Sequence, residues 1–123
     1  MDILMLPENR KRLAKLVTAL FAHWQIDTAT QAALLGLPSE DDLLMDELPA
    51  DEDVIDRVGH LLAIHKALQI LYQSKSGGVP DIVYGYMTHA NKRFTPTPID
   101  YILQQGDNGL AEVRYYLDFV RIR

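Results

Sequence analysis

The sequence predicts an all-α fold, a small helical domain, and three observations carry that prediction. Apolar residues recur at spacings of three and four along several segments, the period of a helix with one side against a core. Residues that cap or stop helices stand at the ends of those segments, with Asp, Ser or Thr ahead of them and Gly or Asn behind. No alternating run is long enough for a strand, although "RFTP" can extend locally.

The first helix is predicted over about residues 8 to 24, where Leu13, Leu16, Val17, Leu20, Phe21 and Trp24 fall on one stripe. "DTATQAALLGLPSEDDLLMDELP" then reads as two short helices in a helix-turn-helix spacing. Asp27 or Thr28 caps the first of them, Gly36 stops it in a left-handed conformation, and Ser39 caps the second with Asp42 three residues on. Ala32 is small where two helices approach, and Leu35 and Leu37 point inward. From Asp53 to about Gln73 the chain is apolar around much of its circumference, the pattern of a central helix with neighbours on several sides. "SKSGGVP" breaks that helix, and Pro80 opens "PDIVYGYMTHA", which Asn91 terminates. "KRFTPTP" is a loop; Thr97 caps and Pro98 opens "PIDYILQQ", and Gly106 ends it. Asp107 or Asn108 caps the last helix. The helix-turn-helix half spans residues 8–50 and the C-terminal helical half residues 51–123.

Of the residues, 48% are hydrophobic and 24% charged, a balance that supports a packed core rather than disorder. Cysteine is absent, so disulfides and thiolate metal sites are excluded, and a reducing, cytoplasmic setting is expected. "MDILMLPENRKR" has an apolar patch too short for a signal peptide, and no run approaches the roughly 20 apolar residues of a membrane span, so no membrane association is expected. The net charge of -5 is unevenly spread: residues 1–15 carry +2, residues 16–56 carry -10 with no Lys or Arg, and residues 57–123 carry +3. The middle third repels a polyanion.

The final stretch, "LAEVRYYLDFVRIR", is apolar on two sides. At about 100° per residue, Leu110, Val113, Tyr116, Leu117 and Val120 share one side and Tyr115, Phe119 and Ile122 the other, with Arg114, Asp118 and Arg121 as a strip between them. A helix packed on its own domain needs one apolar face. Fully burying Tyr115, Phe119 and Ile122 gains roughly 1.5 to 3 kcal/mol each before the cost of association.

Catalytic chemistry finds little footing. His23, His60, His65 and His89 are too dispersed for a metal site, and neither metal nor cofactor is expected. Gly77 and Gly78 lack the Lys-Ser/Thr of a phosphate-binding loop, and Ser39, Ser74 and Ser76 lie in no nucleophile context. The residues therefore point away from an enzyme. The second helix of the helix-turn-helix, "SEDDLLMDE", brings five carboxylates and no cation, the wrong sign for a major groove. Phosphate contacts would fall to Arg10, Lys11, Arg12 and Lys15, doubled in a dimer.

"RVGHLLAIHKALQILY" followed by "YMTHANKRFTPTPIDYILQQGDNGLAEVRYYLDFVRIR" resembles the toxin-binding region of the Xre/MbcA/ParS antitoxin family, and the preceding half resembles that family's Xre-like helix-turn-helix. The likeness is strongest in "LLAIHKALQIL" and "VRYYLD". Tyr86 and Met87 stand where the family commonly has a Trp-Leu pair, and Thr95 and Pro96 where a Gly is common. The resemblance implies a homodimeric antitoxin of a type II toxin-antitoxin system. Such a protein binds and sterically neutralises a RES-domain toxin that degrades NAD, and similar antitoxins often repress their own operon by binding operator DNA. It also implies toxin contacts at Arg114, Tyr115, Phe119, Arg121 and Arg123, joined by Asn91, Lys92, Arg93 and Phe94 of the loop. The alternative is a helix-turn-helix DNA-binding transcriptional regulator without a toxin partner.

Overall fold

A computed structural model describes residues 3–43, 46–72 and 81–122 of the protein. Among them the architecture is all-α, with no strand. A first helix, α1 (Pro7–Trp24), follows a 3-10 turn at Ile3–Met5. Pro7 sits in its first turn, where a missing N–H costs nothing. Ala14, Val17, Leu20, Phe21 and Trp24 are buried, whereas Leu16 is 52% exposed and lies outside the expected stripe. The correction follows from the helical period: the buried line runs through Ala14, Val17 and Phe21, and Leu16 falls off its edge. Gln25, left-handed at φ 56°, ends α1, with its N–H donating to the Ala22 carbonyl.

Asp27 caps α2 (Thr28–Leu35) by accepting from the Thr30 N–H at 2.8 Å. The hydrogen bonds from Thr30 hold the Asp27 carboxyl below its ordinary value. Gly36 closes α2 at φ 73°, and the Leu37 N–H donates back to the Ala32 carbonyl at 2.9 Å. The positive φ of Gly36 favours glycine, and a Cβ there would stand 2.7 Å from Arg57 Nε and push that side chain aside.

The second helix expected from Ser39 is a single 3-10 turn, Glu40–Asp42. Ser39 does accept from the Asp41 N–H at 3.1 Å, but Leu43 leaves helical geometry at ψ 60°. Two of the three residues of this turn are Asp, a poor helix former. Beyond it, Leu48 is buried, and Arg10 of α1 reaches this segment.

Asp51 caps α3 (Glu52–Leu71) by accepting from the Asp53 N–H at 2.9 Å. Contacts divide the chain into two units, Met1–Leu62 and Ala63–Arg123, and the division falls inside α3. Val54, Ile55, Val58 and Leu61 are the buried α3 residues of the first unit; Ile64, Ala67 and Leu68 are those of the second.

In the second unit, α4 (Asp81–Gly85) passes into a 3-10 turn at Tyr86–Thr88, with Val83 and Met87 buried. The helix ends short of the expected Asn91: His89 is extended, and the Gly85 carbonyl takes up the His89 N–H at 3.1 Å. Gly77, Gly78 and Pro80 lie outside the described residues. Thr97 caps α5 (Pro98–Gln105), accepting from the Asp100 N–H at 3.1 Å while its hydroxyl donates to the Asp100 carboxylate at 3.0 Å.

Gly106 turns the chain into α6 (Asp107–Arg121) and occupies its cap position without a side-chain bond, so neither Asp107 nor Asn108 caps it. Asp107 is the first helical residue, where its charge meets the positive end of the helix dipole. A Cβ on Gly109 would stand 2.7 Å from Gln105 Cβ and 3.3 Å from Ile102 Cα, so this glycine permits the close approach of α5 and α6. Among the described residues no helix is long and apolar enough to cross a membrane.

Candidate functional site

The helical period sends the side chains of α6 in two directions. Leu110, Val113 and Leu117 are buried, while Tyr115 is 60%, Phe119 58% and Ile122 74% exposed. These three lie one turn apart along a single outward stripe.

Cations border this stripe on both sides. On one side Asp118 pairs with two arginines: Arg121 Nε donates to Oδ1 at 3.2 Å and Arg114 Nε stands 3.5 Å from Oδ2. The Arg114 guanidinium carbon lies 5.7 Å from the Tyr115 ring centre. On the other side, about 100° around the helix from Tyr115, the partly buried Tyr116 carries the Arg93 guanidinium 4.1 Å above its ring. The structure thus brings Arg93 of the loop to the same helix as Arg114, Tyr115, Phe119 and Arg121. Arg123 lies outside the described residues.

Asn91 explains how the loop does this. Its side-chain oxygen accepts from the Arg93 N–H at 2.8 Å and the Phe94 N–H at 2.9 Å, and its own N–H donates to the Pro96 carbonyl at 3.1 Å. The Thr95–Pro96 peptide bond is cis. This turn directs Arg93 outward and Phe94 inward. Phe94 is only 4% exposed, with ring centres 5.1 Å from Tyr101 and 5.5 Å from Tyr116. It is a core residue, which corrects its placement among surface contacts. Lys92 is exposed. Asn91, half-buried, spends its side chain on shaping the loop.

Two tyrosines flank this cluster. Burial pushes the Tyr86 hydroxyl to a higher pKa, opposed by its side-chain hydrogen bond with Asn91. Tyr101 donates to Glu112 at 2.6 Å, and that bond holds its proton above the ordinary phenol value. A hollow of about 380 Å³ opens among Ile82, Gly85, Tyr86, His89, Ala90 and Asn91. No local pattern in the sequence marks it, because its walls come from a turn that the periodicity does not foretell.

The basic residues of α1 separate into two kinds. Arg10 is engaged inside its own unit: it pairs with Glu47 at 3.1 Å and donates to the carbonyls of Leu48 and Met5, each at 2.9 Å. That correction removes Arg10 from the phosphate-contact set, since its donors serve the fold. Lys11, Arg12 and Lys15 are exposed around a shallow hollow of about 430 Å³ that also carries Glu8 and Asp46. The 3-10 turn that stands in place of a recognition helix presents Glu40, Asp41 and Asp42. Among the described residues no group of three His, Asp or Glu side chains is placed to hold a metal ion.

No family model matches this chain, and a search of curated proteins finds no match to it.

Proposed function

We propose that the protein is an antitoxin of a type II toxin-antitoxin system, acting in the cytoplasm, that neutralises a RES-domain, NAD-degrading toxin by covering it with the outer face of α6. The observation that carries this reading is the exposed stripe of Tyr115, Phe119 and Ile122, bordered by Arg114 and Arg121 on one side and Arg93 on the other. Aromatic and arginine side chains dominate binding hot spots, because they bury large areas and add charge-assisted hydrogen bonds. "VRYYLD", which holds Arg114 and Tyr115, is one of the two stretches where the likeness to the antitoxin family is strongest.

The inhibition is steric and electrostatic. The stripe seats in an apolar part of the toxin while the bordering arginines fix register and occupy the approach used by the anionic dinucleotide. The protein itself performs no reaction in this scheme and requires no cofactor. A dimer would present two such faces.

A DNA-binding regulator without a toxin is the second reading, and the exposed Lys11, Arg12 and Lys15 favour it. It is the weaker one, since the acidic turn at Glu40–Asp42 and the engaged Arg10 leave few groups for base or phosphate contacts. Co-expression separates the two. Cells producing a RES-domain toxin should grow when the wild-type protein is present and stop growing when it carries Phe119→Asp. Equal protection by both proteins removes the α6 reading.

A further inference from the structure

Asp118 lies between two guanidiniums rather than beside one. Its Oδ1 accepts from Arg121 Nε at 3.2 Å and its Oδ2 stands 3.5 Å from Arg114 Nε, with both arginine side chains about a third exposed. A carboxylate in the middle of a cationic border lowers the charge of that border, so Coulomb's law alone says that it weakens attraction to an anionic partner. Pre-ordering works in the other direction. An arginine left to sample its rotamers must be ordered when the partner arrives, whereas one already held by a carboxylate has met most of that cost in folding. Each guanidinium carries five N–H donors, and one carboxylate shared by two of them cannot use them all.

The geometry points to Asp118 as a positioning residue that holds Arg114 and Arg121 ready for a toxin surface bearing carboxylates beside an apolar seat. This inference rests on the toxin-binding role proposed for α6. The partner's chemistry follows from the face itself: an apolar seat to receive Tyr115, Phe119 and Ile122, and acidic groups opposite the two arginines. Ion pairs as exposed as these add little to folding stability, so the fold tolerates their removal.

The test uses the full chain as wild type, Asp118→Asn and Asp118→Glu, with a purified RES-domain toxin as the probe. NMR of the arginine Nε–H groups in the free protein reads the holding directly, and titration calorimetry reads the affinity. Asp118→Asn should speed exchange of the Arg121 Nε–H proton, the one hydrogen-bonded to Asp118, with water. It should also weaken toxin binding about tenfold, the order expected when two long side chains are ordered at association rather than before it. That loss would occur although the border has gained positive charge, and with an unchanged melting temperature. Asp118→Glu should restore both readouts. Asp118→Asn that binds as tightly as the wild type, or more tightly, overturns the inference while leaving the α6 reading in place, and so does unchanged Nε–H exchange. A wild-type protein that does not bind the toxin removes the α6 reading and this inference with it.

Discussion

The guanidinium carbon of Arg93 lies 4.1 Å from the centre of the Tyr116 ring, which fastens the loop at residues 91–97 to α6 and sets a cation beside its exposed stripe. A cation over an aromatic face at a partly exposed site is worth about 0.5 to 1 kcal/mol. A double-mutant cycle of Arg93→Ala and Tyr116→Leu, read by urea unfolding, should return a coupling of that size. Additive effects would mean that Arg93 does not rest on the ring in solution.

Phe94 and Phe119 should respond in opposite ways to the same substitution. Phe94 packs between Tyr101 and Tyr116, so Phe94→Ala should cost about 3 to 5 kcal/mol of stability. Phe119 is exposed, so Phe119→Ala should stay within about 0.5 kcal/mol. Chemical denaturation of the two variants decides, and similar losses in both would contradict the assignment of inner and outer rings.

Arg10 and its basic neighbours divide in the same manner. Arg10→Ala removes an ion pair and two backbone contacts at a largely buried side chain and should destabilise the protein by about 1.5 to 3 kcal/mol. Joint replacement of Lys11, Arg12 and Lys15 by Ala should leave the melting temperature near that of the wild type. Any DNA affinity the protein has should fall in the triple variant, together with its salt dependence. DNA binding that survives the triple change would place the contact surface elsewhere.

Asp27 supplies a test by acid. Its carboxyl is held below the ordinary value by hydrogen bonds with Thr30, so the unfolded chain takes up the proton more readily than the folded one. The stabilisation is complete above the ordinary aspartate value of about 3.9 and is lost as the pH falls through the lowered folded value. Asp27→Ala should therefore melt below the wild type at neutral pH, and the difference should shrink in strong acid. A constant difference from neutral to strongly acidic pH would show that the cap does not act through the charged carboxylate.

What the sequence revealed was mostly local. The two faces of α6 follow from the 3.6-residue period, and the caps at Asp27 and Thr97 and the stop at Gly36 from side chains within four residues of the backbone they serve. The period misplaced Leu16 because a stripe of spacings three and four has two edges, and composition does not say which one faces the core. The helix expected after Ser39 is a single turn, Glu40–Asp42, because a cap alone does not carry a segment rich in Asp through further turns. Gln25 in a left-handed conformation gave no warning, since that geometry is ordinarily read from Gly or Asn. Arg10 with Glu47 and Arg93 with Tyr116 join residues far apart in the chain, and no local pattern encodes such pairs. The helical period already sets Asp118 in one strip with Arg114 and Arg121, but that position acquires a meaning only beside the exposed stripe.

The most direct measurement follows NAD consumption by a purified RES-domain toxin while the protein is titrated in, as wild type and as Phe119→Asp. The wild type should stop the reaction at a fixed stoichiometry. The variant, with the same helix content and melting temperature, should need at least about a hundredfold more protein, as expected when a charge is forced into the centre of an apolar contact. Equal inhibition by the two proteins, or none by either, would contradict the assignment of the α6 face.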